Sequence, residues 1–416
     1  MLAITASNAG QAGLGAPVLL ALLVGAWLSG RVALTLLFAA TFLPSIKGLP
    51  FSPTFLTAGA LMPWLVIHRA EVVRAPRRPL VVALALLALA VATYPMGKSI
   101  GTLVLAVALI AFIETLVIMR DRPPEDGLAC LAVGGLGTFL IPFVMNAFLA
   151  TSSPFLGELN AMWLLGGRVT FGVYEANMAS AFLAAALAAW TWGAGQAAFG
   201  RRAGGIAVVG FALFLLLAVS GSRAALVVGI LAVVLAVVMG HGPGFRRIDA
   251  ASRQSAGWLL LAVGALVLIA TIVNPDLLSG VSRLATSDAA DETMRVNNLG
   301  AGLNYLNRLP WFGMDPSDYL KVVYPMHPHN ALLAGIAFVG LLTFVPVMAL
   351  LWIPILDVMG GGRWSPSLAL SAALVTLTLV QQTIPFPLDQ GVFILTALWY
   401  AGAARPRVRT GTLEPI

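Results

Sequence analysis

The stretch NPDLLSGVSRLATSDAADETMRVNNLGAGLNYLNRLPWFGMDPSDYLKVVYPMHPHN, Asn274 to Asn330, is the one long polar interval in an otherwise apolar chain. About 56 residues pass without an apolar run of membrane length, in a sequence that is 59% hydrophobic. Long loops inside compact domains usually carry a lid or a site. The interval closes on Met326-His327-Pro328-His329-Asn330, where the next apolar run begins. Two of the chain's four histidines therefore stand within three positions of each other. This loop, with the membrane surface beneath it, reads as an active site.

On either side of the loop the chain is greasy. Only 10% of its 416 residues are charged, and its mean hydropathy is +0.93. A soluble domain carries roughly a quarter charged residues. Apolar runs fall near 13–29, 31–46, 53–68, 79–96, 99–119, 128–150, 174–195, 204–220, 223–240, 256–273, 330–356, 367–384 and 389–404. About 20 residues of helix span about 30 Å of hydrocarbon. The expectation is an all-α polytopic integral membrane protein with 12–13 transmembrane helices. The lower number applies if the first two short runs form a shallow hairpin. Residues 1–416 form a single transmembrane domain, and 274–329 is a large periplasmic loop within it. Between Asp291 and Leu309 of that loop, Met294, Leu299, Leu303 and Leu306 make one apolar stripe. This predicts a short helix lying on the membrane surface, stopped by Pro310.

The net charge of +7 and the sequence pI near 10.1 do not indicate nucleic acid. The arginines cluster in short connections between runs, as topology signals do. Arg69, Arg74, Arg77 and Arg78, then Arg120 and Arg122, Arg201 and Arg202, Arg246, Arg247 and Arg253, Arg363, and the Arg405, Arg407 and Arg409 tail all fall on one side if every intervening run spans. That side, with the C-terminus, is the cytoplasm. Residues 151–173, the Ser220-Gly221-Ser222 turn, 274–329 and 385–388 then share the outer side, which is the periplasm if the protein lies in a bacterial inner membrane. The first apolar stretch lacks a basic flank, so a cleaved signal peptide is not expected. Cys130 is the single cysteine, which leaves no disulfide, iron–sulfur cluster or cysteine zinc site to be built within one chain.

Few residues in such a chain can carry chemistry. Arg223 follows the Ser220-Gly221-Ser222 turn and opens an apolar run on the outer side. An arginine at the edge of hydrocarbon either snorkels or meets an anion. Its planar fork and the free N–H groups of a helix start suit phosphate. Arg168, in Gly166-Gly167-Arg168-Val169-Thr170-Phe171-Gly172, is a second outer cation. It either pairs with Glu175 or faces the same anion. His329 is placed to act as a general base near neutral pH, and Pro328 makes a rigid elbow before a helix with Asn330 near its N-cap. Arg295 and Arg308 on the predicted surface helix, with Asn177 and His327, are candidate substrate contacts. Asp288, Asp291 and Glu292 read as a solvated acidic run, and no metal or other cofactor is expected. Glu114, inside run five near its cytoplasmic end, reads as a structurally paired acid. A proton-coupled transporter would use it otherwise.

These residues resemble the motifs of one family. His329-Asn330-Ala331-Leu332-Leu333, followed by Gly340-Leu341-Leu342, is similar to the "HN-x-x-L … G-x-x-G" stretch of the bacterial O-antigen ligase and O-antigen polymerase superfamily. Ser220-Gly221-Ser222-Arg223 resembles its "S-R" turn. Arg168 through Asn177 resembles "R-x-x-G-T-F-x-x-P-N", with Ala176 in place of proline. Arg295 through Pro310-Trp311-Phe312-Gly313 resembles "R … P-x-x-G-x-G", with Asp315 where a second glycine is usual.

The resemblance covers about 165–345. It implies a GT-C-like membrane glycosyltransferase whose donor is a glycan on undecaprenyl pyrophosphate. The acceptor is a sugar hydroxyl, on lipid A-core for a ligase or on a lipid-linked repeat unit for a polymerase. The implied roles are Arg223 and Arg168 on the pyrophosphate with Arg295 assisting, His329 taking the acceptor proton, and Asn330 orienting the acceptor. The transfer is metal-independent and inverts the anomeric centre. The ligase is the preferred reading, on the resemblance alone. The polymerase and attachment to protein stay open. A lipid or solute transporter is the alternative from another class, but it would predict paired inverted halves, and none are visible.

Overall fold

The computed structural model describes residues 24–25, 27, 29–41, 53–96, 99–149, 164–165, 168–169, 176–191, 203–239, scattered positions between 293 and 304, 311–313, 330–359, 373, 375–376 and 390–403. The described chain is helical, apart from one very short hairpin. Its helices are α1 (Gly30–Thr41), α2 (Pro53–Ile67), α3 (Arg69–Arg74), α4 (Arg77–Thr93, continued by a 3-10 turn Tyr94–Met96), α5 (Ser99–Ile118), α6 (Pro124–Leu149), α7 (Ala176–Ala189), α8 (Ala203–Val219), α9 (Arg223–Met239), α10 (Ala331–Val339), α11 (Leu341–Met359) and α12 (Gln390–Ala403). The hairpin pairs β1 (Leu164–Leu165) with β2 (Arg168–Val169).

Two helices are enclosed by the rest. α5 is surrounded by α1, α2, α4, α10 and α12. Leu105, Ala108, Leu109, Phe112 and Leu116 on it are fully buried. α7 is held between α6, α8 and α9, and every described side chain from Ala179 to Trp190 is buried. α6 joins the two groups through adjacent glycines. A Cβ on Gly134 would lie 3.0 Å from the Thr35 carbonyl oxygen of α1, and one on Gly135 would lie 2.6 Å from the Phe182 ring of α7. With no side chain there, both neighbours close on α6. Phe38, Phe139 and Phe182 fill the seam, their ring centroids 6.4 and 6.0 Å apart around Phe182.

The N-terminal ends of α1 and α6 are tied by a two-pronged ion pair between Arg31 and Asp126. Glu114 of α5 departs from expectation. It is fully buried, yet among the described residues neither carboxyl oxygen has a hydrogen-bond partner, so the expected structural pairing is not found there. Composition could not reveal this, because a pairing depends on what the neighbouring helices turn towards α5.

Run 330–356, expected as one span, is two helices. Gly340 breaks it with φ +79°, a backbone open to glycine and strained for other residues. Among the described residues, one helix segment, Gly101–Ile118, is long and apolar enough by itself to cross a membrane. Shorter apolar segments include Thr54–Ile67, Asp126–Leu140, Val208–Val219 and Leu341–Leu356.

Candidate functional site

The Arg223 turn is built from the end of α8. Ser220 N donates to Leu216 O at 3.1 Å, and Gly221 N donates to Ala218 O at 3.2 Å. Gly221 has φ +67°, the left-handed residue that commonly ends a helix. Ser222 O then accepts from Leu226 N at 3.0 Å, so Ser222 stands at the N-cap of α9 and Arg223 is its first residue. Arg223 is exposed. Val227, Ile230 and Leu231, at +4, +7 and +8, are exposed on the same side of the helix at 56%, 40% and 54%. The exposed face of α9 is therefore one cation at the helix start, followed by an apolar lane.

α7 begins beside this turn. Ser180 Oγ donates to Ser220 Oγ at 2.7 Å, and both side chains are fully buried. Six residues into α9, a Cβ on Gly229 would lie 3.7 Å from Leu187 and 3.8 Å from Ala184 of α7. The two helices thus run in the same direction from neighbouring starts. Asn177 is the second residue of α7, and Arg168 lies in β2, paired with Leu165 across the Gly166-Gly167 connection. α7, which follows the 168–177 segment, meets the 220–223 turn through Ser180. Aligned helix starts present unpaired N–H groups and the positive end of the helix dipole, so the corner favours an anion.

Asn330 stands where it was expected. It caps α10 with φ −136° and ψ 113°, and its Oδ1 accepts from Leu332 N at 3.0 Å and Leu333 N at 3.2 Å. Its amide oxygen is thus occupied by the cap, which leaves the Nδ2 donor as the group able to orient an acceptor. At the far end of α10, residues 311–313 are packed against the helix break. Trp311 O accepts from Leu342 N at 3.3 Å. Gly313, with φ +72°, sits so close that a Cβ on Gly340 would meet its nitrogen at 2.3 Å. The "P-x-x-G" segment therefore packs on the α10–α11 break.

His327, His329, Arg295 and Arg308 lie outside the described residues, as do Asp288, Asp291, Glu292 and Glu175. The described positions from Thr293 to Asn304 are helical, as expected for the surface helix, with Leu299 and Leu303 exposed. The sequence reading missed Ser180 and the hairpin. The hairpin had a signal in the two-residue Gly-Gly link between Leu164-Leu165 and Arg168-Val169. A lone serine in an alanine-rich helix gives none. Comparison with family models, curated proteins and solved structures finds no match.

Proposed function

We propose that this chain is a polytopic inner-membrane glycosyltransferase. It would move a glycan from undecaprenyl pyrophosphate to an acceptor sugar hydroxyl at the periplasmic face, most simply as an O-antigen ligase acting on lipid A-core. The observation that carries the reading is the exposed face of α9, where Arg223 stands above Val227, Ile230 and Leu231. A cation over an apolar lane complements a lipid with a phosphate head. The neighbouring start of α7 adds to the field at that head.

Membrane residence is supported by the other free faces. Val81, Leu84 and Val91 of α4 and Leu342, Val345, Ile353 and Leu356 of α11 are large, apolar and exposed. Such surfaces suit lipid and not water. The Arg31–Asp126 pair joins two segments that the arginine pattern independently assigns to the inner side.

In this mechanism the acceptor hydroxyl attacks the anomeric carbon from the face opposite the leaving group. The bond from that carbon to the pyrophosphate oxygen breaks, and the electron pair leaves with the lipid pyrophosphate. Arg223 and Arg168, with Arg295, neutralise the developing charge. His329 takes the acceptor proton, and Asn330 orients the acceptor through its Nδ2. In-line attack inverts the anomeric centre.

The test is gene deletion, with lipopolysaccharide run on a gel and wild-type or His329→Ala genes returned. Bare lipid A-core, with polymer accumulating on the carrier, is the expected result. Core bearing a single repeat would mean the polymerase. An unchanged ladder would overturn both roles.

A further inference from the structure

We infer that Ser180 is a positioning residue for Arg223, acting through the buried hydroxyl of Ser220. The inference rests on the reading of Arg223 as the contact to the lipid pyrophosphate. Ser180 is the one hydroxyl in α7, whose sequence is ANMASAFLAAALAA. Its Oγ donates to Ser220 Oγ at 2.7 Å, and Ser220 Oγ donates on to Leu217 O at 2.5 Å. Leu217 lies in the last turn of α8, where carbonyls have no partner further along the helix. The relay therefore runs from the middle of one helix to the closing turn of another, with both serines fully buried.

An apolar pair could fill the same space and hold the helices together. A hydroxyl pair adds direction, because it is satisfied at one register and costs free energy at others. That register is passed to Arg223 through a short, stiff link. Gly221, in its left-handed conformation, and Ser222, which is buried, are all that stand between Ser220 and Arg223. Lower down, Gly229 fits against Leu217, where a Cβ would come within 2.7 Å of Cδ2. α9 is thus held at two levels. The level nearest the cation is the polar one, and its geometry sets where the guanidinium stands relative to the start of α7.

The experiment measures binding of undecaprenyl pyrophosphate to the purified full chain in detergent, per folded monodisperse protein. The proteins compared are wild type, Ser180→Ala, Ser220→Ala, Arg223→Ala and the two serine–arginine doubles. Each serine variant is expected to weaken binding about tenfold with Arg223 present. In the Arg223→Ala background each should change it less than about twofold, because nothing remains to be positioned. If Ser180→Ala does not yield folded protein, Ser220→Ala breaks the same relay from the other side. If Arg223→Ala weakens binding but the serine variants do nothing, or weaken it equally in both backgrounds, the positioning role alone is overturned. If Arg223→Ala binds as wild type does, the pyrophosphate reading falls, and the role of Ser180 falls with it.

Discussion

Asp126 grips the guanidinium of Arg31 with both carboxylate oxygens: Nε lies 3.0 Å from Oδ2, and Nη2 lies 2.9 Å from Oδ1 and 2.8 Å from Oδ2. The two residues are 95 positions apart, so the pair fixes which helix ends are neighbours. In the proposed membrane topology the two partners must share a face. In a Cys130→Ala background, Asp121→Cys, whose native side chain is 80% exposed, should react with an impermeant maleimide only after the inner membrane is opened. Trp311→Cys should react in intact spheroplasts. The reverse pattern would invert the topology and put the proposed site in the cytoplasm.

Arg223→Ala should lower transfer by about 100-fold, the scale of removing one fixed charge from a developing anion. Arg223→Lys should recover only part of that, because an ammonium cannot offer two parallel bonds to phosphate oxygens. Equal rates for the wild type and the alanine variant, measured with a lipid-linked donor, would remove Arg223 from the site.

His329→Ala should cost about 10²- to 10⁴-fold in transfer rate, the range of general-base catalysis, with donor binding kept. The wild-type rate should be insensitive to EDTA. Activity lost in EDTA and restored by Mg²⁺ would refute transfer by arginine and histidine alone.

Asn330→Ala should destabilise the protein by about 1 kcal/mol, since two backbone N–H groups at the start of α10 lose their acceptor. Asn330→Asp keeps an oxygen for both and should unfold on heating close to wild type. The same variant loses the amide N–H, so its transfer rate should fall while its unfolding temperature does not. A rate that stayed with stability would make Asn330 a cap and nothing more.

Gly340→Ala should free the outer loop. The left-handed backbone alone costs more than about 1 kcal/mol with a side chain, and the new methyl would overlap the backbone of Trp311, Phe312 and Gly313. Limited proteolysis should then cut near 311–313 in the variant and spare the wild type. Equal resistance would show that the loop holds without this contact.

Helix identity and length were largely legible, because apolar runs of this length leave the backbone little choice. α5, α8 and α9 begin and end within a residue or two of their runs. Run 330–356 was not, since apolarity continues through Gly340 and only the backbone turns there. The Arg223 turn and the Asn330 cap were legible from Ser-Gly-Ser and from Pro-His-Asn, whose local chemistry is short-range. What Ser180 faces was not. A side chain's partner across a helix pair depends on register, and register is set by packing at Gly229 and Ser220, far from Ser180 in sequence. The same holds for Glu114, expected to be paired and found with no hydrogen-bond partner among the described residues.

The last of the described helices, α12, packs along α5. Phe112 of α5 meets the ring of Tyr400 of α12 edge-on, with centroids 6.2 Å apart, and Trp399 beside it is buried. During synthesis, α5 is made nearly three hundred residues before that partner exists; in the proposed topology it would enter the bilayer without it. Until then its face must be covered by lipid, by an insertase or by another chain. A chain stopped short of Gln390 has made every residue of the proposed site and still lacks the helix that packs on α5.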